Sequence, residues 1–219
     1  MKKVFSVLCA ILIASSMVVS AFAAAVESPA VEPPKATEVV VTDAEGNEID
    51  LGIAPEEDVT AYVQLTSMDM VITEEEEGAQ TSTISDAVKE TLKEATAALE
   101  EMEDLGEVSE EYAGKEVLSV MNVQFSDDIT EALAKGATVA VKTTLKMKTK
   151  AADTETNEPT RIPIIRYIDG KWVVSEDEYA EVLEDGTVVL YLKQAGNFTL
   201  VVDPEDEIVD EKDLVEETK

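Results

Sequence analysis

The chain lacks histidine and has a single cysteine, near its N-terminus. Without an imidazole it cannot form a Ser-His-Asp or Cys-His catalytic set, nor a His-ligated zinc or haem site. Aromatic residues make up only 5% of the 219 residues, which leaves few side chains for a sugar-stacking platform. The sequence also shows no nucleophile elbow, phosphate loop or metal motif. These absences argue against an enzyme.

Basic residues are scarce as well. The chain has 17 Lys and Arg against 48 Asp and Glu, which gives a formal net charge of −31. Because a nucleic-acid-binding protein normally has net basic character or a long basic stripe, this charge argues against a nucleic-acid partner. It leaves one enzymatic alternative open, a carboxylate-based glycan hydrolase, since a pair of acidic residues is sufficient for that chemistry.

Residues 1–23 have the three parts of a secretory signal peptide. Lys2 and Lys3 form a basic start, residues 4–19 are an uncharged apolar run, and residues 21–23 (Ala-Phe-Ala) form an A-x-A cleavage box. The run is shorter than the roughly 20 residues of a membrane span, although a retained N-terminal anchor is the alternative. We expect cleavage after residue 23, which removes two lysines and the only cysteine and changes the net charge from −31 to −33.

An exported chain without cysteine is typical of bacteria rather than of small disulfide-stapled domains. We therefore expect a secreted protein, extracellular or associated with the cell envelope, with no membrane span in the mature chain. Residues 24–37 contain three prolines and are predicted to be a flexible linker. Residues 204–219 are mostly charged and are predicted to be a disordered acidic tail.

Between these ends, the pattern of apolar residues changes once. Residues 38–114 predict short strands followed by an amphipathic helix over 84–102, with a capping box at Thr83 and Asp86 and a stop at Gly106. Alternation over residues 59–72 predicts a strand in front of this helix. The apolar stripe of the helix either packs on a sheet or binds a partner. The stripe consists of Ile84, Val88, Leu92, Ala95, Leu99 and Met102.

Residues 115–203 have the two-residue period of β-strands, interrupted by a short helix over 126–135. Asp169-Gly170 predicts a two-residue hairpin turn that pairs Ile168 with Lys171 and Tyr167 with Trp172. Short strands at regular spacing favour an Ig-like β-sandwich in which Trp172 anchors the core. The predicted fold class is therefore α+β or mainly β, with a C-terminal Ig-like β-sandwich after a strand-plus-helix region.

The order of these motifs resembles a known type of module. A strand ending in Phe125, a short helix, and the segments GATVAVKTTL, RYIDGKWVVS, DGTVVLYL and GNFTLVVD are similar to the C-terminal β-sandwich module of uncharacterised secreted and cell-surface bacterial proteins. The resemblance covers about residues 116–203. It implies an extracellular, non-catalytic module and brings no functional residues with it.

Acidic clusters make Ca²⁺ the candidate inorganic partner, because hard cations prefer several oxygen ligands. None of the clusters has EF-hand spacing, and solvated acidic loops are the alternative interpretation. Besides residues 74–77 and 203–206, the main candidates lie in the first predicted turn: Asp43, Glu45, Asn47 and Asp50. We expect no other cofactor.

Basic residues concentrate in one segment of this acidic chain. Residues 135–171 hold eight basic and four acidic side chains, a net charge of +4. Strand alternation places three lysines on one face, and the hairpin register places two further basic residues together. This basic stripe could bind protein or anionic cell-wall polysaccharide, or it could meet the chain's own acidic N-terminal region, within one copy or in self-association. Lysines on an edge strand would also discourage aggregation. The stripe is Lys142, Lys146, Lys148, Arg166 and Lys171.

The sequence thus predicts a secreted, non-enzymatic bacterial protein that acts in surface interaction or adhesion, with an unidentified ligand. A Ca²⁺-dependent extracellular binding module and a carboxylate-based glycan hydrolase are the two alternatives.

Overall fold

A computed structural model describes residues 34–52, 58–77, 84–148 and 160–209. The predicted signal peptide, most of the linker and most of the acidic tail lie outside these residues. Within them, three helices accompany ten strands: α1 Met68–Glu77, α2 Asp86–Glu100 and α3 Asp127–Ala134. The strands are β1 Ala36–Thr42, β2 Val63–Ser67, β3 Glu116–Val117, β4 Met121–Phe125, β5 Thr138–Lys148, β6 Thr160–Ile168, β7 Lys171–Val182, β8 Thr187–Leu192, β9 Gly196–Val202 and β10 Glu207–Ile208.

The strands form one antiparallel sheet in the order β1-β5-β8-β7-β6-β9-β4-β2, with β10 beside β5 and β3 beside β9. Its two end strands, β1 and β2, approach each other, so the sheet is nearly barrel-like. No ladder joins these two strands in the part of the chain that the structure describes. The predicted mainly-β class is confirmed.

The inner side of this sheet encloses the main apolar core. Successive side chains of a strand point to opposite faces, so alternate residues of most of the strands enter the core. Burial of this apolar surface is the main term that stabilises the fold. Helix α3 adds Ile129 and Ala132 to the same core. Typical core residues from the strands are Val41, Val63, Val123, Val139, Leu190 and Phe198.

Helix α2 covers one part of the outer side of the sheet. It confirms the predicted amphipathic helix, although the N-cap is Ser85, whose Oγ accepts the backbone N–H of Val88 at 3.3 Å. Leu92 packs there with Ile165 and Trp172 in a second apolar cluster. Trp172 is an anchor as predicted, but it lies between helix and sheet rather than inside a sandwich.

The Asp169-Gly170 turn forms with the predicted register, pairing Ile168 with Lys171 and Tyr167 with Trp172. Both turn residues have positive φ, 50° and 79°, as a type I′ turn requires. The strand predicted over 59–72 exists only at residues 63–67, because residues 59–61 form a 3-10 helix and α1 begins at Met68. The composition of this segment suits a strand, but Val71 is buried on a helix that packs beside α2.

The Ig-like sandwich is not confirmed. Strands β1 and β2 come from the predicted N-terminal region, yet both pair with strands of the predicted sandwich, so residue 114 marks no boundary in the sheet. Two predicted ends also shift: β1 begins at residue 36, inside the expected linker, and β10 lies within the expected tail. A sequence pattern alone does not show such long-range pairings.

Strands β6 and β7 bend at a bulge. Pro163 pairs with Tyr179 but the next residue, Ile164, pairs with Ser175, so residues 176–178 have no partner in β6. A bulge bends the strand that contains it and increases the local twist, so the two parts of the sheet on either side of it face in different directions. The first half of β6 and the second half of β7 therefore lie beside β8, β5 and β1, whereas the other halves lie towards β9 and α2.

Candidate functional site

The candidate site is the outward side of the sheet formed by β1, β5, β8, the second half of β7 and the first half of β6, here called the half-sheet face. Val139 and Val141 of β5 and Leu190 of β8 enter the core, so the residues between them point outwards. Helices α1 and α2 pack elsewhere, against Ile165 and Trp172.

Strand pairing aligns the outward side chains of this face in two rows across five strands. An apolar row of half-buried side chains is, from β1 to β6, Val40, Ala140, Tyr191, Tyr179 and Pro163. A charged row beside it is, in the same order, Glu38, Lys142, Val189, Glu181 and Arg161. The register of four ladders fixes both rows.

Two tyrosines stack at the centre of the apolar row. The ring centroids of Tyr179 and Tyr191 are 4.7 Å apart with an interplanar angle of 20°. The guanidinium of Arg161 lies over the Tyr179 ring, 4.4 Å from its centroid, in a cation–π contact. Tyr179 is thus held between a residue of β6 and a residue of β8, which makes this part of the face rigid.

An ion pair between Arg161 and Glu181 lies beside the two tyrosines. Arg161 Nε lies 3.3 Å from Glu181 Oε1, and the arginine side chain is 66% exposed while that of the glutamate is 11% exposed. Burial and, secondly, the negative charge of Glu181 raise the pKa of Tyr191 to about 12. The Tyr191 hydroxyl therefore stays protonated and able to donate a hydrogen bond at every physiological pH.

The predicted basic stripe divides in the structure. Lys142 and Lys146 lie on the outward side of β5, but each has an acidic neighbour within the chain: Glu38 at 3.9 Å and Asp185 at 3.1 Å. Lys148 is exposed at the end of the same strand. The pairing of Lys142 with Glu38 agrees with one of the predicted alternatives, in which the stripe meets the acidic N-terminal region.

Arg166 does not belong to an exposed stripe. It is 1% exposed, and its Nε and Nη2 donate to the two carboxylate oxygens of Glu178 at 2.7 Å each. It also donates to the carbonyl oxygens of Gln194 and Gly196. The register places Arg166 and Lys171 on one side of the hairpin. On that side Arg166 is buried, whereas Lys171, next to the turn, is exposed to solvent.

In the turn predicted to bind Ca²⁺, the acidic side chains accept hydrogen bonds from neighbouring residues of the chain. Asp43 accepts the backbone N–H groups of Glu45 and Asn47 at 3.0 and 2.8 Å, and Asn47 Nδ2 also donates to it. Hydrogen bonding from Asn47 lowers the pKa of Asp43. Asp50 accepts the backbone N–H of Gly52 in the same way. Over the described ranges, no group of three or more acidic side chains is arranged to hold a metal ion.

A pocket of about 370 Å³ adjoins the half-sheet face at Arg161. It forms because the ladder between β6 and β9 begins only at Ile164, so the first half of β6 separates from β9. An ion pair between Lys115 and Asp203, 3.3 Å long, lies at its wall. The pocket continues the polar surface around Arg161 rather than forming an enclosed site.

No protein-family model, curated protein or solved structure matches the chain. Among the described residues, no helix is both long and apolar enough to cross a membrane.

Sequence reasoning missed the tyrosine pair, because the scarcity of aromatic residues was taken as evidence against an aromatic platform. A usable pattern was present in β8, where Val188, Leu190 and Leu192 enter the core and Tyr191 falls between two of them. The alignment of Tyr191 with Tyr179 depends on the pairing of β7 with β8, which the sequence does not specify.

Proposed function

We propose that this protein is an exported, non-enzymatic bacterial interaction protein that binds its partner through the half-sheet face. The observation that carries the proposal is the apolar row with the Arg161–Tyr179–Tyr191 stack, half-exposed on an outward sheet surface. The predicted signal peptide supports export, and the resemblance to secreted bacterial modules supports an extracellular role.

The chemistry of this face suits a protein contact. Tyrosine and arginine are enriched at the centres of protein interfaces, because they supply a large contact area that loses little conformational freedom. Here the stack already fixes both rings and the guanidinium, so binding would order few additional side chains. The paired charges of Glu38 with Lys142 and of Arg161 with Glu181 provide a polar surround for the apolar row.

Binding to intact cells of the exporting bacterium tests the proposal. We expect the labelled mature chain, residues 24–219, to bind, and we expect Tyr191→Ala and Arg161→Ala each to weaken binding about tenfold or more. Lys135→Ala is the matched control, because Lys135 is 71% exposed at the C-terminal end of α3, a helix that packs on the inner core through Ile129. Circular dichroism and melting curves check that each variant is folded.

Equal binding by all variants would show that the face does not contact the cell surface. A mature chain that neither binds cells nor associates with itself would also overturn the proposed function.

A further inference from the structure

We infer that the partner of the half-sheet face is a second copy of this chain, packed face to face about a two-fold axis that runs along β8. The inference rests on the proposed function, because it uses the same face. The supporting observation is the order of residues in the two rows. When a row read from β1 to β6 faces the same row of a second copy read from β6 to β1, opposite charges and complementary sizes meet.

The charged row has alternating signs around a neutral centre. From β1 to β6 the signs are negative, positive, neutral, negative and positive. A two-fold axis along the central strand β8 reverses this order in the second copy. Glu38 of one copy then lies opposite Arg161 of the other, and Val189 lies opposite its own counterpart. Lys142 likewise lies opposite Glu181, so every charge of the row meets an opposite charge.

The same operation matches the sizes of the apolar side chains. Tyr191, on the axis, meets its counterpart, while the large Tyr179 lies opposite the small Ala140 and Val40 lies opposite Pro163. Large residues facing small ones allow two faces to interdigitate, as in the packing of sheets in a sandwich. One symmetry axis thus satisfies both rows.

A different axis does not give this match. A two-fold axis across the strands, between the rows, sets the charged row of one copy on the apolar row of the other. Glu38 and Arg161, the most exposed charges of the row, would then lose water without gaining an opposite charge from the second copy, which is costly. The strand-parallel axis is therefore the arrangement that the residues favour.

The size and charge of the face set the strength of association. Five strands at a spacing of about 4.8 Å span about 19 Å, which gives an interface at the small, reversible end of the range. We expect a dissociation constant on the order of micromolar. Two copies with a formal charge of −31 each repel at long range, so added salt should tighten association by screening that repulsion.

Charge reversal at two exposed positions tests the arrangement. In a dimer of Glu38→Arg, the new arginine would face Arg161 of the second copy at each end of the interface. In a dimer of Arg161→Glu, the new glutamate would face Glu38 in the same way. We expect sedimentation velocity at about 1–200 µM to show wild-type dimers and monomers of each variant alone. An equimolar mixture of the two variants restores opposite charges at both ends, so it should form a heterodimer of near wild-type affinity.

The matched controls are Glu131→Lys and Lys135→Glu, an exposed ion pair on α3 outside the half-sheet face. They change the net charge by the same amounts and should leave dimerisation unchanged. Melting curves of all four variants confirm folding.

A wild-type chain that stays monomeric at about 200 µM would overturn the second copy as partner. So would dimerisation of both single variants, or a mixture that stays monomeric. The proposed function survives these results if Tyr191→Ala still abolishes binding to cells. Conversely, cell binding that is independent of Tyr191, together with restored heterodimers, would leave self-association as the role of this face.

Discussion

At the scale of single residues, the most consequential contact is the buried pair of Arg166 and Glu178. Glu178 lies in the β7 bulge, and its Oε1 also accepts the backbone N–H groups of Lys193 and Gln194 at 2.6 and 3.2 Å. The pair therefore ties the bulge to β6 and to the connection between β8 and β9. A buried charge is tolerated only when it is fully paired in this way.

Removal of one member should be strongly destabilising. We expect Arg166→Ala to lower the free energy of unfolding by about 3–5 kcal/mol, because Glu178 would be left buried without its counter-charge. For a chain of this size, that corresponds to a fall in Tm of roughly 6–20 °C. Thermal melts of the purified variant measure it. Lys135→Ala is the control, since its ion pair with Glu131 is exposed on both sides and such a pair contributes at most about 1 kcal/mol.

The same pair should also give a recognisable pH dependence. Burial opposes ionisation of Glu178, but hydrogen bonds and charge attraction from Arg166 lower its pKa overall below the ordinary value of 4.5. A lowered folded-state pKa stabilises the fold above the unfolded-state pKa, and this stabilisation is lost as pH falls through the folded-state value. The Tm difference between wild type and Glu178→Gln should therefore be largest near pH 6–7 and shrink below about pH 4.5. A constant difference would contradict this.

At the scale of elements, docking of α2 depends on one apolar contact surface and two hydrogen bonds to helix carbonyls. Trp172 Nε1 donates to the Ala95 carbonyl at 3.1 Å, and Asn197 Nδ2 donates to the Thr91 carbonyl at 2.9 Å. Asn197 Oδ1 in turn accepts from Asn122 Nδ2 at 2.6 Å. These amides fix the position of α2 along the sheet, which apolar packing alone would leave less defined.

A cavity beneath α2 should loosen this helix first. Leu92 is fully buried, so we expect Leu92→Ala to cost about 2–5 kcal/mol and to accelerate amide hydrogen exchange in α2 more than in β8. Glu90→Ala, on the exposed side of the same helix, is the control and should change exchange little. Uniform acceleration throughout the chain would show instead that α2 opens only with global unfolding.

The elements that could be predicted from sequence are those with local causes. The spacing of Val88, Leu92 and Ala95 predicts α2, and the Asp169-Gly170 turn predicts the β6–β7 register. Helix α1 could not be predicted, because its apolar residues fit a strand until Val71 is packed beside α2. The pairing of β1 with β5 joins residues about a hundred positions apart, and no local pattern specifies it.

At the scale of the whole molecule, the charge of −31 acts on stability as well as on association. Like charges repel within the folded chain, and added salt screens them with a Debye length of about 10 Å at 0.1 M. We expect Tm to rise between about 20 and 500 mM NaCl, as melting curves at fixed pH would show. An unchanged or falling Tm would mean that local ion pairs outweigh the general repulsion.

The candidate site was partly predictable at this scale. Alternation in β5 places Lys142 and Lys146 on one side, as expected from sequence. Their acidic neighbours come from elsewhere in the chain, Glu38 from β1 and Asp185 from the turn before β8, so charge composition alone did not decide between a free basic surface and one paired within the chain. The tyrosine pair likewise depends on how β7 and β8 are aligned. Residue types were readable, whereas the neighbours that determine their role were not.

Strand β5 holds both ends of the described chain. Lys35 accepts through its carbonyl from the Thr144 N–H at 2.9 Å, and the Val209 N–H donates to the Lys146 carbonyl at 3.0 Å. These contacts are two residues apart on one edge of β5, a separation of about 7 Å. The chain is thus suited to circular permutation: a short linker could join residue 209 to residue 34, and new termini could open at the Asp169-Gly170 turn with every strand retained.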